Sequence, residues 1–202
     1  MDHERQSNEC GKSDNPEHSE NAAIRAPAIW VGSLADYNAG RLHGRWLEVT
    51  GDQIELERQV TDILRTSPTP GVEEWAVFDY EGFAPLHLDE HESLTAISRL
   101  GRGITEHGPA FAHYAALVGT TDPDVLEHFE DAYLGHYESP VEYAEGLLED
   151  LGYPEQFERS LPESMAPYVH LDIEGFARDL QLSGSIATSE DSAGVHIFDL
   201  ER

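Results

Sequence analysis

Lysine is almost missing from this chain: Lys12 is the only one in 202 residues, and arginine supplies the other eleven basic side chains. Against 40 acids this leaves a formal net charge of −28. Binding nucleic acid through its phosphates needs Lys or Arg to displace counterions, so nucleic acid is excluded as a direct partner. The natural partners are basic surfaces or metal cations. Cysteine is equally scarce. Cys10 is alone and lies in a polar segment, which rules out a disulfide framework and fits a reducing cytoplasm. No run approaches 18 apolar residues, so no transmembrane helix and no membrane partner are expected. The first residues contain no apolar core of a secretory signal, and the expected compartment is the cytoplasm. Neither a glycine-rich phosphate loop nor a G-x-S-x-G elbow occurs, so no cofactor and no catalytic residue are indicated.

What the chain has is acid, unevenly spread. Between Gly103 and Glu158 there are thirteen acidic side chains and no lysine or arginine. Residues 28–70 hold six acids against four arginines, Arg41, Arg45, Arg58 and Arg65. A general adaptation to high salt would spread acid evenly. Self-repulsion at the density of the 103–158 stretch costs stability, and a chain that keeps it has a use for the charge.

The pattern along the chain predicts an α+β fold. Residues 1–26 are polar, lack apolar periodicity and read as a disordered tail. Ala28–Val31, Arg45–Val49 and Trp75–Tyr80 read as strands, with a turn at Asp36–Gly40. Asp52 caps a helix to about Arg65 whose apolar face is Leu56, Val60, Ile63 and Leu64. These elements make a small β-β-α-β domain over 27–88. A helical domain follows over 89–129, with Leu94, Ile97, Leu100 and Ile104 at helical spacing, a helix between Gly108-Pro109 and Gly119, and another opened by Asp122-Pro123. That last helix has the stripe Val125, Phe129, Ala132 and Tyr133. An α+β domain over 130–202 has a helix opened by Ser139-Pro140 with the stripe Val141, Ala144, Leu148 and Leu151. It also has a helix capped by Asp172, and it ends in a hairpin of Gly184–Thr188 with Val195–Phe198. Trp30, Trp46 and Trp75 fall on the strands of the first domain and are expected in its core.

Glu138, Glu142, Glu145 and Glu149 lie at i, i+4, i+7 and i+11 on one helical face, away from the apolar stripe. Like charges at that spacing oppose their own helix by roughly 0.2–0.5 kcal/mol per pair. Ordinary solvated faces mix signs, and this face does not. Glu127, Glu130 and Asp131 lie off the preceding apolar stripe, and Asp150 ends the later helix. A row of helical carboxylates has one charge per roughly 5–6 Å, against one per about 1.7 Å of duplex DNA. One helix cannot imitate a duplex, but several acidic faces side by side can. At duplex density, 28 net charges correspond to roughly 48 Å of DNA.

Metal chemistry has weaker local signals. Asp122-x-Asp124 begins like a calcium loop but lacks its glycine and terminal Glu, and Pro123 suits a helix start. His87 and His91 are four apart without an H-E-x-x-H pattern, and the segment reads equally well as a loop entering a helix. A salt-adapted acidic enzyme or a metal-dependent enzyme is the alternative class.

Four blocks carry a family resemblance. The segment from Ile29 to Trp46, with Trp30-Val31-Gly32-Ser33-Leu34-Ala35-Asp36-Tyr37-Asn38 at its centre, resembles the opening of the ArdA antirestriction proteins. So do Glu74 to Phe83 and Ala177 to Gly184, and Leu147-Leu148-Glu149-Asp150-Leu151-Gly152-Tyr153 resembles the start of the family's antirestriction motif. Pro154 departs from the pattern, standing where a non-proline is expected. The resemblance spans about Pro27 to Phe198. It implies an elongated, curved chain of three small domains, usually a homodimer, carried by mobile genetic elements. It implies no enzyme but a DNA mimic that occupies the DNA-binding groove of type I restriction-modification enzymes. On that reading Glu127, Glu130, Asp131, Glu138, Glu142, Glu145, Glu149 and Asp150 face the partner. Leu147, Leu148, Leu151, Gly152 and Tyr153 belong to a core or a dimer interface.

Overall fold

A computed structural model describes residues 26–120 and 122–201. Cys10, Lys12 and the tail read over 1–26 lie outside the described residues, apart from Ala26. The fold is mixed α+β, with nine α-helices and two three-stranded antiparallel sheets among those residues.

The first sheet has the order β2-β1-β3, from β1 (Ala28–Ser33), β2 (Gly44–Glu48) and β3 (Trp75–Glu81). Strand alternation sends Ile29, Val31, Leu47 and Val77 to one face. Helix α2 (Gln53–Arg65), started by Asp52 accepting from the Glu55 amide, covers that face with Leu56, Val60 and Ile63. The same alternation overturns the expectation for two tryptophans. Trp30 and Trp46 pair across β1 and β2 on the other face, where Trp46 is 47% exposed and Trp30 meets the Phe78 ring edge-on at 5.5 Å. Room for the Trp30 indole comes from Gly44, where a methyl would stand 2.6 Å from the ring and 2.4 Å from the Val31 carbonyl. Only Trp75 packs against the core, half-buried.

The turn expected at Asp36–Gly40 is instead a one-turn helix, α1 (Leu34–Asn38), so the first unit runs β-α-β-α-β. Ser33 caps it, accepting from the Asp36 amide at 3.2 Å. Asp36 is itself fully buried. Its carboxylate accepts from Thr69 Oγ1 at 2.6 Å, from Arg41 Nη2 at 3.0 Å and from the Ser67 hydroxyl. Burial alone would raise its pKa. The bonds from Ser67, Thr69, Ser33 and Arg41 outweigh that and hold the carboxyl well below the usual carboxylate range. A depressed folded-state pKa contributes stability that is present above the unfolded value, about 3.9, and is lost as pH falls through the folded one. Asp36→Asn is therefore expected to unfold at lower urea than the parent at neutral pH. The gap should narrow steadily below about pH 4; a constant gap in urea titrations from pH 7 to pH 3 would contradict this account.

Helices α3 (Leu94–His107) and α4 (Pro109–Val118) follow the predicted periodicity, with Gly108 between them and Gly119 after. The predicted stripe from Val125 to Tyr133 is broken. Helix α5 (Pro123–Glu127) stops at His128, whose Nδ1 approaches the Asp124 carbonyl at 2.8 Å, and α6 (Phe129–Ala132) is a single turn. Tyr133 then opens an unanticipated strand, β4 (Tyr133–Tyr137). Its residues pair with the C-terminal hairpin, with a register shift between Tyr133 and Gly135, and do not continue the helical period. Helix α7 (Pro140–Asp150) is followed at Gly152 by α8 (Tyr153–Ser160), also unanticipated, then by a 3-10 turn (Ala166–Tyr168) and α9 (Ile173–Leu182). The hairpin is β5 (Ala187–Glu190) and β6 (Val195–Phe198), and the second sheet has the order β4-β6-β5.

All four residues of β6 are buried because both faces of this sheet are covered. Val195 and Ile197 join Ile186 in a small core packed by Leu134, Tyr137, Tyr143 of α7 and Leu180 of α9. Phe198 points the other way, into the main core, which runs without interruption from Ile29 and Leu47 through Leu100 and Phe111 to Phe129.

Candidate functional site

The acidic face of α7 is built by its cap. Ser139 accepts from the Glu142 amide at 3.3 Å, and Glu142 Oε2 reaches back to the Glu138 amide at 2.6 Å, a reciprocal capping arrangement. Pro140 stands in the first turn, where its missing N–H costs nothing. Ala144 is buried below, while Glu138, Glu142, Glu145, Glu149 and Asp150 are exposed. Glu127 at the end of α5 and Glu130 and Asp131 in α6 are exposed too. Among the described residues no arginine pairs with any of these eight acids; Glu130 lies 3.8 Å from His107. Helix α2 is the contrast. Its Glu55, Arg58, Asp62 and Arg65 neutralise one another, with Arg58–Glu55 at 2.6 Å and Arg65–Asp62 at 3.0 Å. One helix spends its acids on internal pairs, and the other leaves them facing water. Glu142 alone in the α7 row has a structural task as well.

The motif-like segment Leu147 to Tyr153 forms the corner between α7 and α8. Gly152 takes a left-handed conformation, φ 71°, which allows the chain to end one helix and start the next without a break. Pro154 then occupies the first turn of α8, where a proline fits. Leu147 and Leu148 are half-buried, but Leu151 is 53% and Tyr153 51% exposed. The stripe predicted for α7 thus ends before Leu151, which is the exposed cap residue and not core. Beside the corner, Leu148, Tyr153, Phe157, Leu171 and Phe176 line an apolar hollow.

Sequence reasoning missed a second cluster. His113 on α4, His136 on β4, His196 on β6 and Asp191 in the hairpin turn come together from three separate elements. His113 and His196 are 5% and 6% exposed. Burial pushes both imidazoles below their ordinary value, and neighbouring imidazoles add to it while Asp191 opposes it. Asp191 is held down at about 2, chiefly by the Ala193 amide and then by His136. No local spacing announces this group, since 78 positions separate Asp191 from His113. Asp122, by contrast, is the cap of α5 as read, accepting from the Asp124 amide. His87 and His91 join no three-ligand cluster among the described residues; His87 Nδ1 is 2.7 Å from the Tyr80 hydroxyl. No helix there is long and apolar enough to cross a membrane.

A comparison with curated proteins finds no match. The sequence model of the ArdA antirestriction proteins matches residues 29–193, which takes in all four blocks, the acidic helices and the α7–α8 corner; the chain belongs to the ArdA antirestriction protein family.

Proposed function

We propose that this chain is a DNA mimic that occupies the DNA-binding groove of type I restriction-modification enzymes and so protects incoming DNA. The observation that carries this reading is the sign and exposure of the α5–α7 acids: one charge, facing solvent, without an arginine partner among the described residues, on a chain whose α2 shows the ordinary alternative. Family membership supports restriction enzymes as the target. Glu127, Glu130, Asp131, Glu138, Glu145, Glu149 and Asp150 face the groove, with Glu142 shared between groove and cap. The mechanism is competitive occlusion, without turnover or cofactor. The charge is arrayed along three units, 27–88, 89–129 and 130–202, and over two chains joined through the corner of Leu147, Leu148, Leu151, Gly152 and Tyr153.

Attraction between opposite charge fields is screened by salt. Inhibition of a purified type I enzyme is expected to weaken about tenfold or more between roughly 50 and 200 mM salt, and to be relieved competitively by added target DNA. Potency indifferent to both salt and DNA in a cleavage assay would sink occlusion. Inhibition that consumed a substrate would favour an enzyme instead.

A further inference from the structure

We infer that His113, His196 and Asp191 form a binding site for a zinc-class divalent transition metal that pins α4 to the C-terminal sheet. The ligand-bearing atoms of the three residues all lie within 4.8 Å of one another. With metal–ligand bonds of about 2.0–2.2 Å, ligands of a tetrahedral shell stand about 3.3 Å apart. The edge between His196 Nε2 and Asp191 Oδ2 already measures 3.3 Å. His113 closes the triangle from no more than 4.8 Å.

The surroundings prepare each ligand. His113 Nδ1 lies 2.7 Å from the Ser189 hydroxyl, and His196 Nδ1 lies 3.2 Å from the Tyr133 hydroxyl. A proton on each Nδ1, donated to those oxygens, leaves both Nε2 atoms as bare lone pairs, the form in which imidazole binds metal. Asp191 Oδ1 accepts from the amides of Ala193 and Gly194 at 2.7 and 2.8 Å and lies 3.2 Å from His136 Nε2. Its other oxygen, Oδ2, is the one turned to His196. The independent sign of a ligand is His196 Nε2 itself. It is buried and makes no hydrogen bond, although a carboxylate oxygen stands 3.3 Å away. A lone pair facing an anionic oxygen in a buried place is unfavourable unless a proton or a metal ion lies between them, and the geometry does not suit a proton, since no N–H···O bond forms at 3.3 Å. Two imidazoles and one carboxylate suit zinc and its neighbours better than magnesium or calcium, which take oxygen ligands. This inference stands apart from the mimicry proposal: failure of either leaves the other intact.

The full chain titrated with Co2+ in excess Mg2+, which occupies the surface carboxylates, tests it. One equivalent is expected to give the strong visible bands of a low-symmetry, nitrogen-ligated centre, bleached by one equivalent of Zn2+. Asp191→Asn and His196→Gln, each checked for fold by circular dichroism, are expected to abolish the bands. Ser189→Ala, which removes only the support of His113, is expected to weaken Zn2+ binding about 10- to 100-fold. The parent chain alone suffices as a test should a variant fail to fold. Only the faint spectrum of hydrated Co2+, or bands that survive both ligand substitutions, would overturn the site.

Discussion

Replacing Glu138, Glu145, Glu149 and Asp150 together by lysine is expected to leave a folded protein that has lost inhibition of type I restriction by about 100-fold or more. Each reversal changes the charge by two, so the four take the formal net charge from −28 to −20. The chain remains strongly acidic, and what is lost is the one-signed face. Lysine is as good a helix former as glutamate, and Ala144 beneath is untouched, so α7 should persist. Glu142 is left in place because its Oε2 holds the Glu138 amide, and removing it would confound loss of contact with loss of the cap. Like charges brought together in an interface cost several kcal/mol, and each 1.4 kcal/mol is tenfold in affinity, which sets the expected magnitude. The control is an equal reversal on the first unit at the exposed Glu57, Glu73, Glu74 and Glu81. It makes the same change in net charge and is expected to cost much less. Equal losses in a titrated cleavage assay would mean that only total charge matters, and unchanged potency of the α7 variant would remove α7 from the contact surface.

Local signals in the sequence were sufficient wherever a residue acts on its own neighbourhood. Asp52, Ser139 and Asp172 cap the helices they were assigned to, and Gly108 and Gly119 bound α4, because a cap acts within three residues. Exposure of the glutamate row followed from period alone. The misses have longer-range causes. Strand β4 exists because β6 offers it a ladder from about sixty residues away, which outweighs the helical stripe into which Tyr133 also fits. Trp30 and Trp46 are large apolar residues on strands, and only the alternation relative to Ile29 and Leu47, with glycine at 44, tells that they take the outer face. Helix α8 was not anticipated, and the departure at Pro154 proves to be a first-turn proline after the Gly152 corner. The histidine cluster needed the fold itself, since β6 must be buried on both faces before His196 can meet His113. The first resembling block also changes in meaning. Ser33, Asp36, Arg41 and Gly44 are engaged in capping, a buried carboxylate network and a close approach, so the block builds the scaffold that carries the acids.

Phe198→Ala is expected to cost about 3–5 kcal/mol, the range for removing a buried phenylalanine, out of the 5–15 kcal/mol typical of a whole domain. Phe198 is fully buried, with ring centroids 5.6 Å from Tyr114 on α4 and 5.4 Å from Tyr133 on β4. It sits four residues from the end of the chain, yet it belongs to the core that begins at Ile29. Three units that are separate in sequence pattern share one buried cluster at least as far as this ring. Energy removed there should therefore be felt beyond the C-terminal sheet. In calorimetry the parent is expected to show one dominant transition for 27–198, and Phe198→Ala to lower it as a whole. Amide exchange in β1 and β3, far along the chain from the substitution, is expected to accelerate together with exchange in β6. Acceleration confined to β4, β5 and β6, with a second transition unmoved, would show that the C-terminal unit unfolds on its own. The charge array would then be carried on hinged parts. The shared core takes in Leu126 of α5 and Phe129 and Ala132 of α6, while α7 packs through Tyr143 on the small core of the second sheet, so a single transition would mean that the two cores together hold the three helices at fixed spacing, as the proposed mimicry requires.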